Sequence, residues 1–162
     1  MAKVITFSRY FQKSHPQAGE PTFFVEKILN SLNLTDLNKK PLPDLNDFFI
    51  VIGDGKHHTI RSGSRFKAGD KFSPRVWSGK PYASKQIEIA LEVEVKKVWN
   101  FSIDEKGRYS IDGKCIDGKT EFILAKNDGL STREMAYWFM PSFPKPKPFQ
   151  GQIICWSDGV SY

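Results

Sequence analysis

The stretch that decides how this chain is interpreted is GKHHTIRSGSRFKAGDKF, from Gly55 to Phe72. A lysine, two adjacent histidines, a threonine and an arginine fall within positions 56–61. Four interpretations are open: a metal site, a nucleophile with its base, a nucleic-acid-binding strip, or a solvated strand and turn. The remainder of the chain has to decide among them.

The positive charge of the chain is concentrated around this stretch. The net charge is +6, yet residues 55–87 carry eight cations and one acid, which gives 8 − 1 = +7. A localised positive region favours a polyanionic partner, of which nucleic acid is the commonest. The alternative is a strand-and-loop region whose cations only keep it solvated.

Length and composition indicate one soluble globular domain over residues 1–162. Hydrophobic residues make up 40% of the chain and charged residues 26%, which are ordinary values. No apolar run approaches the roughly 20 residues of a membrane helix, and the N-terminus has no secretory signal pattern. Cys115 and Cys155 have no metal-type spacing and are interpreted as reduced thiols. These features predict a cytoplasmic protein without a membrane partner.

The first third of the chain predicts three elements. KVITFS (3–8) is β-branched and aromatic, which is typical of a first strand or of an ordered entry segment. Apolar residues recur at helical spacing in FFVEKILNSLN (23–33), after a proline suited to the first turn. FFIVI (48–52) is interpreted as a buried strand.

The later segments predict mainly strands. IEIALEVEV (87–95) alternates strictly, the strongest strand signal in the chain. Turn signals, including Asp117-Gly118, then predict a meander of hairpins. Ser131 and Glu134 form a capping box that begins a helix, PSFPKPKPF (141–149) is stiff and extended, and QIICW (152–156) closes the chain as a strand. The fold class predicted is mixed α+β, mainly β, as a small barrel with flanking helices.

GKHHTIR, the following RFKAGD segment and the later NDGL (127–130) with its helix together resemble the ASCH domain family. The resemblance covers about residues 48–156 and leaves 1–47 as an N-terminal helical extension. It implies a PUA-like β-barrel, a fold associated with RNA and modified bases. Some small members are similar to amidohydrolases that deacetylate N4-acetylcytidine with a lysine, a threonine nucleophile and a glutamate. Lys56 and Thr59 match the first two, whereas Asp128 stands in for the glutamate.

Catalysis by Lys56, Thr59 and Asp128 requires a suitable base and a suitable backbone geometry. A threonine hydroxyl needs a base to take its proton, and Lys56 can serve if burial or neighbouring cations lower its pKa. Positions 56 and 59 face opposite sides of a flat strand, so residues 53–57 must curl as a turn. Asp128 is then the expected acid. The alternative is that Thr59 is only a strand residue and Lys56 a solvent-facing turn cation.

The two adjacent histidines do not predict a metal site. His57 and His58 would point to opposite faces of a strand and cannot easily bind one ion, and His15 is the only other histidine. No metal and no cofactor is predicted.

Arg61 and the segment that follows it predict a binding surface. Arg61 shares a strand face with Thr59 and can hold a phosphate or the carbonyl edge of a base; the alternative is a structural pair with Asp70. The loop in residues 73–86 mixes aromatic and basic side chains, as base-stacking loops do. The predicted ligand- or RNA-binding residues are Arg61, Arg65, Lys67, Arg75, Trp77, Lys80, Tyr82 and Lys85.

The sequence therefore predicts first a domain that binds RNA or a modified nucleoside. The alternative is an amidohydrolase of N4-acetylcytidine-type substrates that uses Lys56, Thr59 and Asp128. A second alternative is a protein-interaction module in which PKPKPF (144–149) docks on a partner. No oligomeric state is predicted.

Overall fold

The computed structural model describes residues 2–141 and 147–162. These residues form a mixed α+β fold, mainly β, with two sheets and four α-helices, which confirms the predicted class. Strand pairing does not join the two sheets into a closed barrel within this part of the chain. The strands are β1 (Lys3–Thr6), β2 (His58–Ser62), β3 (Lys71–Trp77), β4 (Gln86–Glu88), β5 (Val93–Glu94), β6 (Lys97–Ile103), β7 (Tyr109–Ile111), β8 (Lys114–Cys115) and β9 (Phe149–Cys155). The helices are α1 (Phe24–Ser31), α2 (Asp47–Ile52), α3 (Gly118–Asn127) and α4 (Thr132–Phe139).

The first sheet is built around β3. Strand β1 pairs with β3 in parallel, so the N-terminal segment contributes a strand to this sheet. Strands β4 and β5 both pair with β3 in the antiparallel sense. The sheet packs against α1 in one hydrophobic core that includes Ile5, Ile28, Phe72 and Val76.

The second sheet has the order β2-β9-β6-β7-β8. In the β2–β9 pair, Thr59 lies opposite Ile154 and Arg61 opposite Gln152. Gly151 is required beside Arg61, since a Cβ at position 151 would collide with the Arg61 carbonyl. A second core, including Ile60, Phe101, Leu124 and Met135, lies between this sheet and helices α3 and α4.

The predicted strand at FFIVI is wrong, because these residues form helix α2. The Asn46 side chain accepts a hydrogen bond from Phe48 N and caps the helix, and the chain leaves helical geometry at Gly53. Phe48 and Ile52 are 62% and 65% exposed, and only Ile50 is fully buried. The apolar run is thus one short helix with a single buried face.

The predicted continuous strand over residues 87–95 is divided. Arg75 pairs with Glu88, whereas Phe72 pairs with Val93, so the chain bulges between β4 and β5. The bulge lies opposite Pro74, which has no backbone N–H and so cannot donate a hydrogen bond to the neighbouring strand. Leu91 falls in the bulge and is 83% exposed, although Val93 and Val95 are buried as the alternation predicts.

The hairpin predicted at Asp117-Gly118 is also wrong. The Asp117 side chain instead accepts from Thr120 N as the N-cap of α3. The other late predictions are confirmed: β6 to β8 form a meander, both bonds of the Ser131–Glu134 capping box are present, and the chain closes with β9. None of the helices in residues 2–141 and 147–162 has the length and apolar character of a membrane span.

Candidate functional site

A buried ion pair joins two of the predicted catalytic residues. Lys56 Nζ lies 2.7 Å from Asp128 Oδ1 and 2.5 Å from the Asp128 backbone oxygen. Lys56 is 1% exposed and Asp128 4%. The Nζ also lies 4.3 Å from the centre of the Phe24 ring. Lys56 is therefore not the solvent-facing turn cation that the sequence left open.

The C-terminal end of α3 places Asp128 against Lys56. Leu130 N donates to Ala125 O and Gly129 N to Lys126 O, the two bonds of a Schellman motif. Gly129 has φ +80°, a conformation that glycine adopts without strain. The helix therefore stops with the Asp128 carbonyl and carboxylate both turned toward Lys56, and the negative end of the helix dipole favours the ammonium.

The segment in front of β2 brings Lys56 to the same site as Thr59. Strand β2 begins only at His58, and Lys56 N and His57 N donate to Lys27 O and Asn127 O respectively. Residues 53–57 form a bend and then irregular backbone without the turn that the sequence predicted, so the contacts to α1 and α3 hold the segment in place. Both side chains line a cavity of about 100 Å³, here called the first cavity. It is lined by Thr6, Phe7, Ser8, Gln12, Phe24, Lys56, Thr59, Ile60, Arg61, Asp128, Trp138 and Phe139.

The surroundings of Lys56 lower its pKa to about 8. Burial is the main cause, because a charged amine loses hydration in the protein interior. Asp128 acts in the opposite direction, and the positive charges of Arg61 and Lys27 add to the lowering. Burial alone would raise the pKa of Asp128, but Lys56 and His58 beside it outweigh that effect and lower it. Lys56 can thus lose its proton near neutral pH, whereas Asp128 stays ionised.

The Thr59 hydroxyl is available to a ligand. Thr59 is buried in β2, and no residue in the described ranges forms a hydrogen bond to its Oγ1. Its neighbours in the first cavity are a lysine with a lowered pKa and an arginine. The arrangement is that of a nucleophile candidate with a base candidate in one enclosed space.

The guanidinium of Arg61 forms few hydrogen bonds with the protein. Its Nη2 donates to Thr6 O at 2.6 Å, and its Nε is buried without a hydrogen-bond partner in residues 2–141 and 147–162. The guanidinium carbon lies 5.2 Å from the centre of the Phe7 ring. Asp70, the alternative partner considered from the sequence, pairs with Lys3 instead at 2.7 Å.

His58 is part of the site, although the sequence did not predict it. It is fully buried, with Nδ1 3.5 Å from Asp128 Oδ1 and Nε2 2.6 Å from the Tyr162 hydroxyl. Asn127 Nδ2 donates to the same hydroxyl, so we assign the Tyr162 O–H as donor to Nε2 and a proton to Nδ1, facing Asp128. Burial lowers the pKa of His58. No local signal indicated this role, because strand alternation places His58 on the face opposite to Thr59 and its partners are distant along the chain.

The remaining predicted binding residues lie outside the first cavity. Trp77 ends β3, and its ring centre is 5.3 Å from that of Tyr82, which is 91% exposed in the β3–β4 loop. Lys80 and Lys85 are exposed in the same loop, and Arg65 and Lys67 are exposed in the loop after β2. Arg75 is half-buried and donates to Ser73 Oγ, with Glu88 at 3.9 Å. Of the predicted set, Arg61 alone lines the first cavity, Arg75 and Trp77 lie on β3, and the others lie in two exposed loops.

Two further predictions concern metals and the proline-rich segment. Within the described ranges, no group of three or more His, Cys, Asp or Glu side chains could hold a metal ion. The PKPKPF segment proposed as a docking peptide falls partly on residues 144–146, which lie outside the described residues.

Comparisons with models of protein families, with curated proteins and with solved structures give no match.

Proposed function

We propose that this protein is an amide hydrolase that removes an acyl group from the exocyclic amine of a cytidine-type nucleoside. The observation that carries the proposal is the first cavity, which is lined both by a lysine with a pKa lowered to about 8 and by a threonine whose hydroxyl has no hydrogen-bond partner among the described residues. If Lys56 were only a solvent-facing turn cation, it would be neither buried nor placed beside the Thr59 hydroxyl. The resemblance of GKHHTIR to the ASCH family, with its PUA-like fold, supports the same substrate class.

The first half of the reaction transfers the acyl group to Thr59. The neutral Lys56 amine takes the Oγ1 proton while Oγ1 attacks the amide carbonyl carbon, and the carbonyl oxygen becomes an oxyanion. The resulting Lys56 ammonium lies beside that negative charge and stabilises it. When the C–N bond breaks, Lys56 returns the proton to the leaving amine of cytidine. An acyl ester on Thr59 remains.

The second half hydrolyses the ester. Lys56, neutral again, takes a proton from a water molecule that attacks the acyl carbon. The C–Oγ1 bond breaks, and the proton returns from Lys56 to Thr59 Oγ1. The net reaction is acylcytidine plus water to cytidine plus the carboxylic acid, so atoms and charges balance.

Asp128 serves in this scheme as a positioning residue, not as the acid expected from the sequence. Its lowered pKa keeps it ionised, and its two contacts hold Lys56 Nζ in one place. A fixed amine is pre-organised for proton transfer. Arg61, with its unpartnered Nε, is offered to an acceptor on the substrate.

The direct test is incubation of the purified chain with N4-acetylcytidine, followed by chromatographic measurement of cytidine and acetate. The proposal predicts equimolar release of both products. An absence of turnover between about pH 6 and pH 10, the range in which Lys56 changes its charge, would refute the proposed function.

A second candidate function, RNA binding, is supported by a separate observation. Tyr82 is almost fully exposed beside Trp77, in a loop that also carries Lys80 and Lys85. Exposed aromatic rings among cations stack bases and neutralise phosphates.

A further inference from the structure

A second cavity adjoins the first and shares two residues with it. It has a volume of about 200 Å³ and is lined by Val4, Ile5, Thr6, Arg61, Ser62, Arg65, Phe66 and Gln152. Thr6 and Arg61 line both cavities. The Arg61 side chain therefore lies at the junction of the two spaces.

The charges around this junction do not cancel. While Lys56 is protonated, its ammonium is matched by the Asp128 carboxylate, which leaves Arg61 as an excess positive charge in the first cavity. Arg61 forms no ion pair with a carboxylate of residues 2–141 or 147–162, and Arg65 forms none either. A largely buried guanidinium without a counter-ion is costly unless an anion completes it.

The loop that carries Arg65 is held in place by its backbone. Gln152 Oε1 accepts from Phe66 N, and Gln152 Nε2 donates to Phe66 O. Lys3 Nζ donates to Arg65 O and is itself neutralised by Asp70. The backbone of this loop is thus fixed by three bonds, while the Arg65 guanidinium stays exposed and without a partner among the described residues.

We propose that the second cavity is a phosphate subsite, in which Arg61 and Arg65 bind a phosphate group of the substrate. The free N–H groups of two guanidinium groups can donate charge-assisted hydrogen bonds to phosphate oxygens. This inference rests on the proposed function, in which the acylated base occupies the first cavity; it adds that the substrate is a nucleotide. The phosphate can belong to a nucleoside monophosphate or to the phosphodiester of a short RNA, and the test separates these sources.

The test measures binding without turnover, so that it is independent of the hydrolase proposal. Inorganic phosphate, cytidine, cytidine 5′-monophosphate and a cytidine-containing dinucleotide are titrated by calorimetry, and the amide NMR signals of Gly63, Arg65 and Phe66 are followed. The monophosphate or the dinucleotide should bind about tenfold more tightly than cytidine, since charge-assisted hydrogen bonds are worth that much. Inorganic phosphate should shift the same three amides.

Arg65→Gln removes one exposed guanidinium and should bring the affinity ratio of phosphorylated to unphosphorylated ligand close to one. Lys114→Gln is the matched control, because it removes an exposed charge from β8, at the opposite edge of the second sheet from β2; its ratio should stay at the wild-type value. Preference for the monophosphate identifies a monoester, and preference for the dinucleotide identifies an RNA phosphodiester. Equal affinity for all nucleoside ligands, with no amide shifts from phosphate, would overturn the subsite even if N4-acetylcytidine is hydrolysed. Phosphate binding at these residues without hydrolysis of N4-acetylcytidine would support the phosphate subsite and refute the proposed function.

Discussion

Lys56 Nζ is held 2.7 Å from Asp128 Oδ1 in a place where neither side chain reaches bulk solvent. A buried ion pair gives little net stability, because the loss of hydration offsets most of the attraction. A buried lysine beside a threonine hydroxyl without a hydrogen-bond partner in the described ranges accords better with a chemical role than with packing. The following predictions test that interpretation.

Removing the charge of Asp128 should destabilise the fold strongly. Asp128→Asn leaves the Lys56 ammonium buried without a counter-ion, and we expect a loss of about 3–5 kcal/mol in the free energy of unfolding. Urea denaturation at neutral pH measures it. The double variant Lys56→Met with Asp128→Leu removes both charges and should recover most of the loss. A free energy for Asp128→Asn equal to that of the wild type would contradict the geometry.

The lowered pKa of Lys56 should appear as a pH dependence of stability. Above about pH 8 the folded state releases the Lys56 proton, whereas the unfolded chain keeps it until about pH 10.5. The unfolded state then binds more protons, so raising the pH through this window stabilises the wild type. Relative to Lys56→Met, the wild type should gain on the order of 2 kcal/mol.

Denaturation of both proteins at intervals across that window provides the measurement. Other titrating groups are common to the two chains and largely cancel in the difference. A constant difference from neutral pH upward would mean that Lys56 titrates as an ordinary surface lysine.

Lys27 should tune the pH profile of the reaction without contacting the substrate. Its Nζ donates to Gly129 O at 2.7 Å, and its charge helps to lower the pKa of Lys56. Lys27→Gln removes that repulsion, so the acid limb of the kcat/KM profile should move to higher pH. Lys126→Gln, an exposed change on α3, should leave the limb in place. A shift of the Lys27→Gln limb to lower pH would be evidence against Lys56 as the base.

The β3–β4 loop should control RNA affinity separately from catalysis. Simultaneous neutralisation of Arg75, Lys80 and Lys85 should weaken binding of a short single-stranded RNA and flatten its salt dependence. Tyr82→Ala should cost about 1–3 kcal/mol of binding free energy through lost stacking. Fluorescence anisotropy at several salt concentrations measures both. If the RNA affinity of these variants equals that of the wild type, the loop is only a solvated surface.

The sequence predicted the elements with strong local signals and missed those that depend on partners. The capping box at Ser131 and the strand at QIICW are local patterns and are confirmed. FFIVI looked like a strand because five apolar residues have no readable period, although Asn46 before it and Gly53 after it were helix boundary signals. The alternation in residues 87–95 predicted burial well, but the break opposite Pro74 depends on the neighbouring strand.

The candidate site shows the same division. Lys56, Thr59 and Arg61 are near in sequence and were found together by motif, and Asp128 was added by resemblance. His58 was passed over because its partners, Asp128 and Tyr162, lie 70 and 104 residues away along the chain. Asp70 pairs with Lys3 and not with Arg61 because β1 lies parallel to β3. No local sequence pattern predicts that strand pairing.

The central claim, that Thr59 is the nucleophile of an acyl transfer, is tested most directly by cytidine release from N4-acetylcytidine in wild type and Thr59→Ala at about pH 8. Unfolding curves confirm that both are folded, and Thr35→Ala, an exposed threonine, serves as the matched control. We expect a loss of at least about 10²-fold for Thr59→Ala and wild-type rates for Thr35→Ala. A folded Thr59→Ala that releases cytidine at the wild-type rate would contradict it.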